Sequence, residues 1–417
     1  MKKIYSHTFW IVLSSITLIC SGCKISRHSA SHSQNKIQQL DPVKNLDFAS
    51  RQLRYAVDKY PDSTRFPRTT HRNGKIKEVP ANDWTSGFFP GELWLMYKYT
   101  GKPFWKAKAE AWTWQLSSQQ YNTHTHDVGF MINCSYGNGL KFTGNNKYKQ
   151  VIINAAKSLV TRFNPKVGAI KSWDHTKWEY PVIVDNMMNL ELLFHATQVS
   201  GDSTFYHIAE THAMTTMKIL VRSNGSTWHV AGFDTTTGKV IWRGTHQGYA
   251  NNSTWARGEA WALYGFTMAY RYTKDIKFLN TAKKIAHFIL TDNHLPDNYL
   301  PYWDYDDPSI PNAPRDASAA AITSSGFIQL SGFVNNKLGS KYLKAARKML
   351  SSLSSPGFRA KGVGSNAGFI LKRSVGNKPA GSEISVPEVY ADYYYIEANL
   401  RYLNLKERGK NNQSISE

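Results

Sequence analysis

Cysteine is scarce in this sequence, with three among 417 residues. Cys20 and Cys23 stand close together near the N-terminus, which leaves Cys134 as the one cysteine in the rest of the chain. Because a disulfide framework needs pairs of cysteines, none is predicted within the folded part of the protein.

The N-terminus also lacks an apolar stretch long enough to cross a membrane. The segment from Phe9 to Cys20 is shorter than the ~20 residues of a membrane-spanning helix, but it has the length of a signal-peptide core. The tetrapeptide CSGC resembles a bacterial lipobox with Cys23 as the lipidated residue, although Cys20 stands where leucine is usual. We therefore predict a lipoprotein signal peptide over residues 1–22, a tether over 23–43, one large domain over 44–405 and a polar tail over 406–417. Such a protein is held in the bacterial cell envelope, in the periplasm or at the outer membrane, by its lipid alone.

Acidic residues are few relative to basic ones. The chain has 30 aspartates and glutamates against 51 lysines and arginines, a net charge of +21. A positive field of this kind attracts anionic partners such as acidic lipid, acidic polysaccharide or nucleic acid. The sequence has no zinc-finger spacing, basic zipper region or RRM aromatic motif, which argues against nucleic acid. A generally basic, solvated surface is the alternative explanation.

A local pattern recurs along the chain, in which a glycine or polar residue precedes an aromatic residue and a new helix. It occurs as TGKPFWKAKA, TGNNKYKQVI, SGDSTFYHIA, TKDIKFLNTA and LGSKYLKAA. The glycine suits a left-handed helix C-cap, so the pattern predicts helical hairpins in series. Six apolar segments alternate along the chain with six more polar ones. The apolar segments begin near Thr85, Val128, Asp185, Arg257, Ala317 and Pro387, and the polar segments begin near Lys44, Pro103, Lys147, Ser203, Ile276 and Ser340. This alternation predicts an all-α fold, an (α/α)6 barrel of six helical hairpins. Long connections before the inner helices would build a cleft, and one of them, WHVAGFDTTTGKVIWRG, has the chemistry of strand, turn and strand.

Carboxylates stand at the predicted N-termini of the inner helices, among them Asp127 and Asp185. Helix capping explains any one of them, because an Asp there accepts hydrogen bonds from unpaired backbone N–H groups. Asp185, at the start of the oily helix in VIVDNMMNLELLF, has no capping-box partner. Acid–base chemistry on a sugar instead requires a carboxyl group whose pKa is raised by apolar surroundings or by a second carboxylate. Asp127, in HTHDVGF, and Asp185 best fit that description.

The tetrapeptide HTHD brings two histidines close to an aspartate, as a metal site would. The spacing does not place both imidazoles on one helix face, and no second cluster completes a recognisable site, so no metal is predicted. We expect His126 to bind substrate and His124 to lie at the surface.

A third cluster, HQGYANNSTWARGEAW, ends at the head of another inner helix. Arg257 can form paired hydrogen bonds with a carboxylate or sulfate, and Trp255 and Trp261 can stack on sugar rings. The alternatives are core packing of the two indoles and a structural ion pair between Arg257 and Glu259.

Together, DWTSGFFPGELW, HDVGF, VDNMMNLELL, STWARGEAWALYG, RDASAAAI and ADYYYIEA resemble glycoside hydrolase family 88, the unsaturated glucuronyl hydrolases. The resemblance runs from about Leu46 to Leu403, and VDNMMNLELL with HDVGF is its most specific part. It implies an enzyme that releases the 4,5-unsaturated uronic acid from the non-reducing end of lyase-generated oligosaccharides. In that family water adds across the C4–C5 double bond, and the resulting hemiketal opens and collapses to release the remaining sugar. No cofactor is predicted.

The resemblance also implies roles for individual residues. Asp185 would be the general acid/base that protonates C4 and activates water for C5, and Asp127 would be the second carboxylate that positions the ring or tunes the pKa of Asp185. The residues implied in the uronate subsite are Trp84, His126, Trp173, His229, Gln247, Trp255, Arg257 and Trp261.

The sequence departs from the family pattern near its C-terminus. KRSVGNKP stands where relatives often have a histidine-containing KHSVGHKP-like stretch, and Ser385 stands where an acidic residue is common. The leaving sugar and its sulfation therefore stay open, although Arg373 and the net charge favour sulfated glycosaminoglycan fragments. Two alternatives remain: an unsaturated rhamnogalacturonyl hydrolase acting on pectin fragments, and a non-catalytic glycan-binding lipoprotein. VDNMMNLE argues against the first and the two aspartates against the second, while the oligomeric state is left open.

Overall fold

The computed structural model describes residues 40–174 and 178–414, with side chains described as far as residue 407. The predicted signal peptide, Cys23 and most of the tether lie outside the described residues. Outer and inner helices alternate along the chain. In order they are α1 (Pro42–Lys59), α2 (Phe88–Thr100), α3 (Pro103–Trp114), α4 (Val128–Ile132) with α5 (Asn138–Thr143), α6 (Lys147–Val160), α7 (Asn186–Ser200), α8 (Ser203–Leu220), α9 (Ala256–Thr273), α10 (Ile276–Thr291), α11 (Ala317–Ser331), α12 (Asn336–Leu353) and α13 (Val389–Ser414).

The inner helices form a closed ring. A π-helical turn, Asn133–Gly137, joins α4 to α5 so that they act as one inner helix. Around the ring, α2 packs on α5 and α13, α4 on α7, α7 on α9, α9 on α11 and α11 on α13. The predicted (α/α)6 barrel is therefore confirmed. The last inner helix continues past residue 405 to Ser414.

Short turns connect the helices at one end of the barrel. Gly101, Gly144 and Gly201 adopt left-handed conformations at the C-caps of α2, α5 and α7, with φ of 67°, 68° and 78°. Glycine lacks the Cβ that disfavours this conformation, so these three predicted turns are confirmed.

The turn predicted at Gly339 is wrong. Helix α12 begins at Asn336, capped by Asn335, and Gly339 lies inside it. A Cβ on Gly339 would approach the carbonyl oxygen of Ser331 to 2.8 Å. Glycine is needed here for the close approach of the chain to the end of α11, not for a left-handed turn.

Small antiparallel sheets occupy the long connections at the opposite end. Strand β1 (Phe66–Thr70) pairs with β2 (Ile76–Val79), β3 (Phe163–Asn164) with β4 (Ala169–Ile170), β5 (Tyr180–Ile183) with β6 (Val230–Phe233), β6 with β7 (Val240–Gly244), and β8 (Ser374–Asn377) with β9 (Ser382–Val386). The hairpin of β6 and β7 is the one predicted from the sequence, and β5 adds to its edge. Ile183 is the register partner of Val230, which brings the start of α7 next to the residue that precedes β6.

None of the helices in residues 40–174 and 178–414 is both long enough and apolar enough to span a membrane.

Candidate active site

A cavity of about 530 Å³ opens where the inner helices begin. Seven of the residues predicted for the site line it: Trp84, His126, Asp127, Trp173, Asp185, Gln247 and Arg257. A more open surface groove of about 720 Å³, beside Arg162 and Asp174, contains neither Asp127 nor Asp185. The fold therefore collects residues from distant parts of the sequence in one place.

Asp185 occupies the N-cap position of α7 but does not cap it. Its backbone is helical, with φ −59° and ψ −28°, and its side chain accepts no hydrogen bond from the first turn. Asp316 shows the contrast: its extended backbone, φ −112° and ψ 99°, lets the carboxylate accept from Ser318 and Ala319 of α11. The capping interpretation is therefore wrong for Asp185, whose carboxyl group faces the cavity instead.

The surroundings of Asp185 favour its protonated form. Burial is the largest cause that raises the pKa of Asp185 above 3.8, and the negative charge of Asp127 also raises it. Arg257 and the indole of Trp261 oppose the rise, and the resulting pKa is about 7. Within the described residues, neither Asp185 Oδ2 nor Trp261 Nε1 has a partner at hydrogen-bond geometry. The carboxyl group of Asp185 is thus near the midpoint of its titration at neutral pH.

Asp127, the N-cap residue of α4, is perturbed in the same way. Burial is the largest cause that raises the pKa of Asp127, and Asp83 adds to the rise. Hydrogen bonds from Thr125 and Asn189 oppose it, and the resulting pKa is about 7. Thr125 Oγ1 donates to Asp127 Oδ2 at 2.9 Å, and His126 Nε2 lies 3.4 Å from Oδ1. Since the charge of Asp127 raises the pKa of Asp185, the two carboxyl groups titrate in the same range and the ionisation of one affects the other.

His229 faces Asp185 with its proton-bearing nitrogen. The backbone N–H groups of His246 and Gln247 both donate to His229 Nδ1 at 3.2 Å, which leaves the proton on Nε2. That atom lies 3.7 Å from Asp185 Oδ2, and both atoms are buried without a hydrogen-bond partner in the described part of the chain. The pairing of β5 with β6 creates this arrangement, since Val184 N–H donates to His229 O at 3.0 Å.

Arg257 is buried beneath the cavity and stacked between two aromatic rings. Its guanidinium carbon lies 4.5 Å from the ring centre of Trp255 and 5.3 Å from that of Tyr390. It pairs with Asp316 at 3.3 Å and donates to the carbonyl oxygens of Val375 and Gly376. Arg257 thus has an acidic partner, but that partner is not the Glu259 considered from the sequence.

Glu259 instead fixes the loop that leads to His229. The backbone N–H and hydroxyl of Thr227 donate to Glu259 Oε1 at 2.5 and 2.6 Å. Burial raises the pKa of Glu259 to about 8, against the lowering effect of those hydrogen bonds.

The aromatic residues divide into two layers. Trp84 and Trp173 line the cavity, and Trp173 lies 5.1 Å from His246 between ring centres. Trp255 stacks on His229 at 4.3 Å, and Trp261 is fully buried against Phe130. Trp255, Trp261 and His229 therefore lie behind the cavity surface, and the core-packing alternative describes the position of Trp261.

A charged cluster that the sequence did not predict forms part of the cavity wall. Arg68 on β1 donates two hydrogen bonds of 2.9 Å to Glu383 on β9 and one of 2.8 Å to Asp83. Lys77 on β2 pairs with Glu383 at 3.1 Å. Glu383 has φ 54°, a left-handed backbone of the kind that is strained for a non-glycine residue and is concentrated at functional sites. The cluster is formed by residues that are far apart in the sequence, and the positive φ of Glu383 is set by the fold. No local sequence signal therefore marks this cluster.

The two histidines of HTHD lie in different environments. His126 is 1% exposed, whereas the side chain of His124 is 89% exposed and lies 4.0 Å from Asp174. The surface position predicted for His124 is therefore confirmed, and the binding of substrate by His126 stays a prediction. Among the described residues, no group of three or more His, Cys, Asp or Glu side chains is arranged to hold a metal ion.

Two carboxyl groups with raised pKa values in an aromatic-lined cavity are typical of glycoside hydrolases. Comparison with known proteins agrees: residues 57–409 match the model of Glycosyl Hydrolase Family 88. The chain belongs to this family, as its motifs predict.

Characterised relatives cover almost the whole chain. An unsaturated glucuronyl hydrolase of Formosa agariphila is 44% identical over 409 residues, 97% of this chain and 99% of that protein. An unsaturated chondroitin disaccharide hydrolase of Streptococcus pneumoniae is 31% identical, covering 86% of this chain and 90% of its own. The crystal structure of an unsaturated glucuronyl hydrolase specific for heparin superposes with a TM-score of 0.86 at 45% identity, covering 88% of this chain and 98% of that one.

Proposed function

We propose that this protein is an unsaturated glucuronyl hydrolase that acts on lyase-generated glycosaminoglycan fragments. The observation that carries the proposal is the pair Asp127 and Asp185, which line one cavity and each have a pKa of about 7. A pair in this range keeps one acid protonated and one ionised at neutral pH, as general acid catalysis with a carboxyl group requires.

Asp185 is the proposed acid and base. Its proton passes to C4 of the unsaturated uronate, and a water molecule, losing a proton to the carboxylate so formed, adds its oxygen to C5. The product is a hemiketal at C5. Opening of the C5–O5 bond gives a ketone at C5 and a hemiacetal at C1, which releases the remaining sugar as an alcohol. Atoms balance with one water consumed, and Asp185 recovers its proton.

The neighbours of Asp185 suit this cycle. Burial keeps the acid protonated before reaction, while Arg257 stabilises the carboxylate that forms after proton transfer. The Nε2–H of His229, 3.7 Å from Asp185 Oδ2, lies behind the cavity surface and can donate to the carboxylate of Asp185. Asp127, ionised when Asp185 is protonated, raises the pKa of Asp185 and accepts hydrogen bonds from the sugar ring.

The substrate class is supported by charge and by the relatives. The net charge of +21 and the buried guanidinium of Arg257 in the cavity wall suit an acidic oligosaccharide. Relatives carry names that specify heparin and chondroitin disaccharides, both glycosaminoglycans. We extend the class, and not either individual sugar, to this protein.

The test is a panel of unsaturated disaccharides from heparin, chondroitin and rhamnogalacturonan, assayed by loss of the ultraviolet absorbance of the C4–C5 double bond. Turnover of the glycosaminoglycan products is expected, and the Asp185→Asn variant should lose it while Asp275→Asn retains it. Asp275 is a matched control because it caps α10 and pairs with Lys277, and it is not among the residues that line the cavity. Turnover of rhamnogalacturonan products alone would assign the pectin alternative, and binding without turnover would make the protein a glycan-binding lipoprotein.

We also propose that Cys23 is the lipidated first residue of the mature protein and holds it in the bacterial cell envelope. The basic N-terminus, the short apolar segment and CSGC support this proposal. Mass spectrometry of the protein made in a bacterial host tests it: a diacylated Cys23 is expected, and an unprocessed Met1 would overturn it.

A further inference from the structure

Asn189 lies one helical turn after Asp185 on α7, so the two side chains emerge on the same face of the helix. It is 1% exposed, in a helix whose other buried side chains are mostly apolar. We propose that Asn189 is a positioning residue of the active site, which fixes the ring tautomer of His126 and so presents a hydrogen-bond donor to Asp127. The inference rests on the proposed function, because it assigns Asn189 a part in the same reaction.

The orientation of the Asn189 amide is set by the backbone of α4. Phe130 N–H donates to Asn189 Oδ1 at 2.7 Å. A backbone N–H can only donate, so the oxygen of the amide must occupy this position. The NH2 group therefore faces the other way, where Asn189 Nδ2 lies 3.3 Å from His126 Nδ1.

This orientation determines which nitrogen of His126 carries the proton. Nδ1 must accept from the NH2 group of Asn189, so the single proton of the neutral ring lies on Nε2. The ring is neutral because burial lowers the pKa of His126 well below its ordinary value. The protonated Nε2 of His126 then lies 3.4 Å from Asp127 Oδ1. A chain of donors thus runs from the backbone of α4 through Asn189 and His126 to the second carboxylate.

Packing between α4 and α7 is adapted to this chain. A Cβ at Gly129 would lie 2.5 Å from Asn189 Oδ1 and 2.6 Å from its Cα, distances that real Cβ atoms do not adopt. Only a residue without a side chain lets the amide reach Phe130 N–H. The glycine of HDVGF and the second asparagine of VDNMMNLELL are therefore two halves of one contact.

Other charged groups surround the chain of donors, and the experiment has to separate them from Asn189. Asp83 raises the pKa of Asp127, and Arg162 lowers it, after the larger effect of burial. Arg162 and His212 also act on His126, and Asp185 interacts with Asp127 across the cavity. None of these groups is altered by a substitution at Asn189. Asn189 also lowers the pKa of Asp127 by a direct hydrogen bond, so the tautomer of His126 has to be measured together with the pH profile.

The decisive variant is Asn189→Asp, which keeps the shape of the side chain and replaces its donating NH2 group with an accepting oxygen. An aspartate accepts from Phe130 N–H and also from His126 Nδ1–H, so the ring proton should move to Nδ1 and Nε2 should turn its lone pair to Asp127. In the full-length protein, 15N NMR of the histidine rings should show the two nitrogen signals of His126 exchanging their protonated and unprotonated positions. The acidic limb of the kcat/KM profile should move up by about one pH unit, with kcat reduced about 10–100-fold and KM changed less.

Asn399→Asp is the matched control for the cost of a buried carboxylate. Asn399 is a fully buried amide on α13 that accepts from Asn45 and donates to Tyr395 O, away from the cavity. The Asn399→Asp substitution should lower the melting temperature and leave the pH profile and the His126 signals unchanged. Asn189→Ala, which adds no charge, should populate both tautomers of His126.

Unchanged His126 signals in both Asn189 variants would overturn the inference, as would an equal shift of the pH profile in Asn399→Asp. Failure of the proposed function would look different. In that case the wild-type protein would turn over no unsaturated disaccharide, while the tautomer measurement, which requires no substrate, would still decide the role of Asn189.

Discussion

The coupled aspartates make a sharp prediction about pH. Wild-type kcat/KM should follow a bell centred near pH 7, because the active form has one proton on the pair, and kcat/KM reports the pKa values of the free enzyme. Since the pKa of Asp185 rises to about 7 from 3.8, its ionised form is disfavoured by about 4 kcal/mol at 1.36 kcal/mol for each pH unit. Part of that free energy comes from the negative charge of Asp127.

Replacing Asp127 with asparagine should therefore change the shape of the profile as well as its height. The acidic limb, which reflects protonation of Asp127, should disappear. The alkaline limb should move down by about one pH unit, because Asp185 loses a like-charged neighbour and ionises more easily. Activity should be measured with one unsaturated disaccharide from pH 5 to 9, with thermal unfolding at each pH to verify the fold. A variant that keeps a bell with both limbs in their original positions would refute the coupling of the two acids.

Substitutions at three residues test other parts of the site. Asp185→Asn should reduce kcat about 10²–10⁴-fold, the usual contribution of positioned proton transfer, with an unchanged melting temperature; undiminished kcat would remove Asp185 from the reaction. Arg257→Ala should lower kcat/KM and also cost about 3–5 kcal/mol of unfolding free energy, because Asp316 is left buried without its cation, whereas Arg257→Lys should recover most of the stability. Equal stability of the two variants in chemical denaturation would contradict the buried pair. For Glu259, the folded state retains a proton up to about pH 8 that the unfolded chain releases above about pH 4.5. Stability should therefore fall by about 5 kcal/mol between these values, and Glu259→Gln should flatten this dependence; an unflattened curve would show that other groups cause it.

The helical framework was predictable because its signals are local. The inner helices are oily on most faces, the outer ones are amphipathic, and Gly101, Gly144 and Gly201 need no information from elsewhere in the chain to favour a left-handed turn. Gly339 shows the limit of this reasoning. A glycine that permits close packing cannot be distinguished from one that ends a helix until its spatial neighbours are known.

The two aspartates were identified because each combines an ionisable group with an apolar context, and the motifs around them are specific. Arg68 and Glu383 were missed because they are 315 residues apart in the sequence and neither stands in a recognisable motif. The addition of β5 to the predicted hairpin, which places Asp185 beside His229, is likewise a long-range pairing. Asn189 stands within the motif VDNMMNLELL, but its importance depends on a backbone N–H of another helix, which the sequence does not show.

The two ends of the barrel use different kinds of connection, and this difference has consequences for how such a protein can change. Two-residue turns such as Gly101-Lys102 and Gly201-Asp202 leave no room for insertions without disturbing the hairpins they join. The long segments at the other end already carry most of the cavity wall. New substrate preferences should therefore be accessible by exchanging these segments between homologues while the helices are left unchanged.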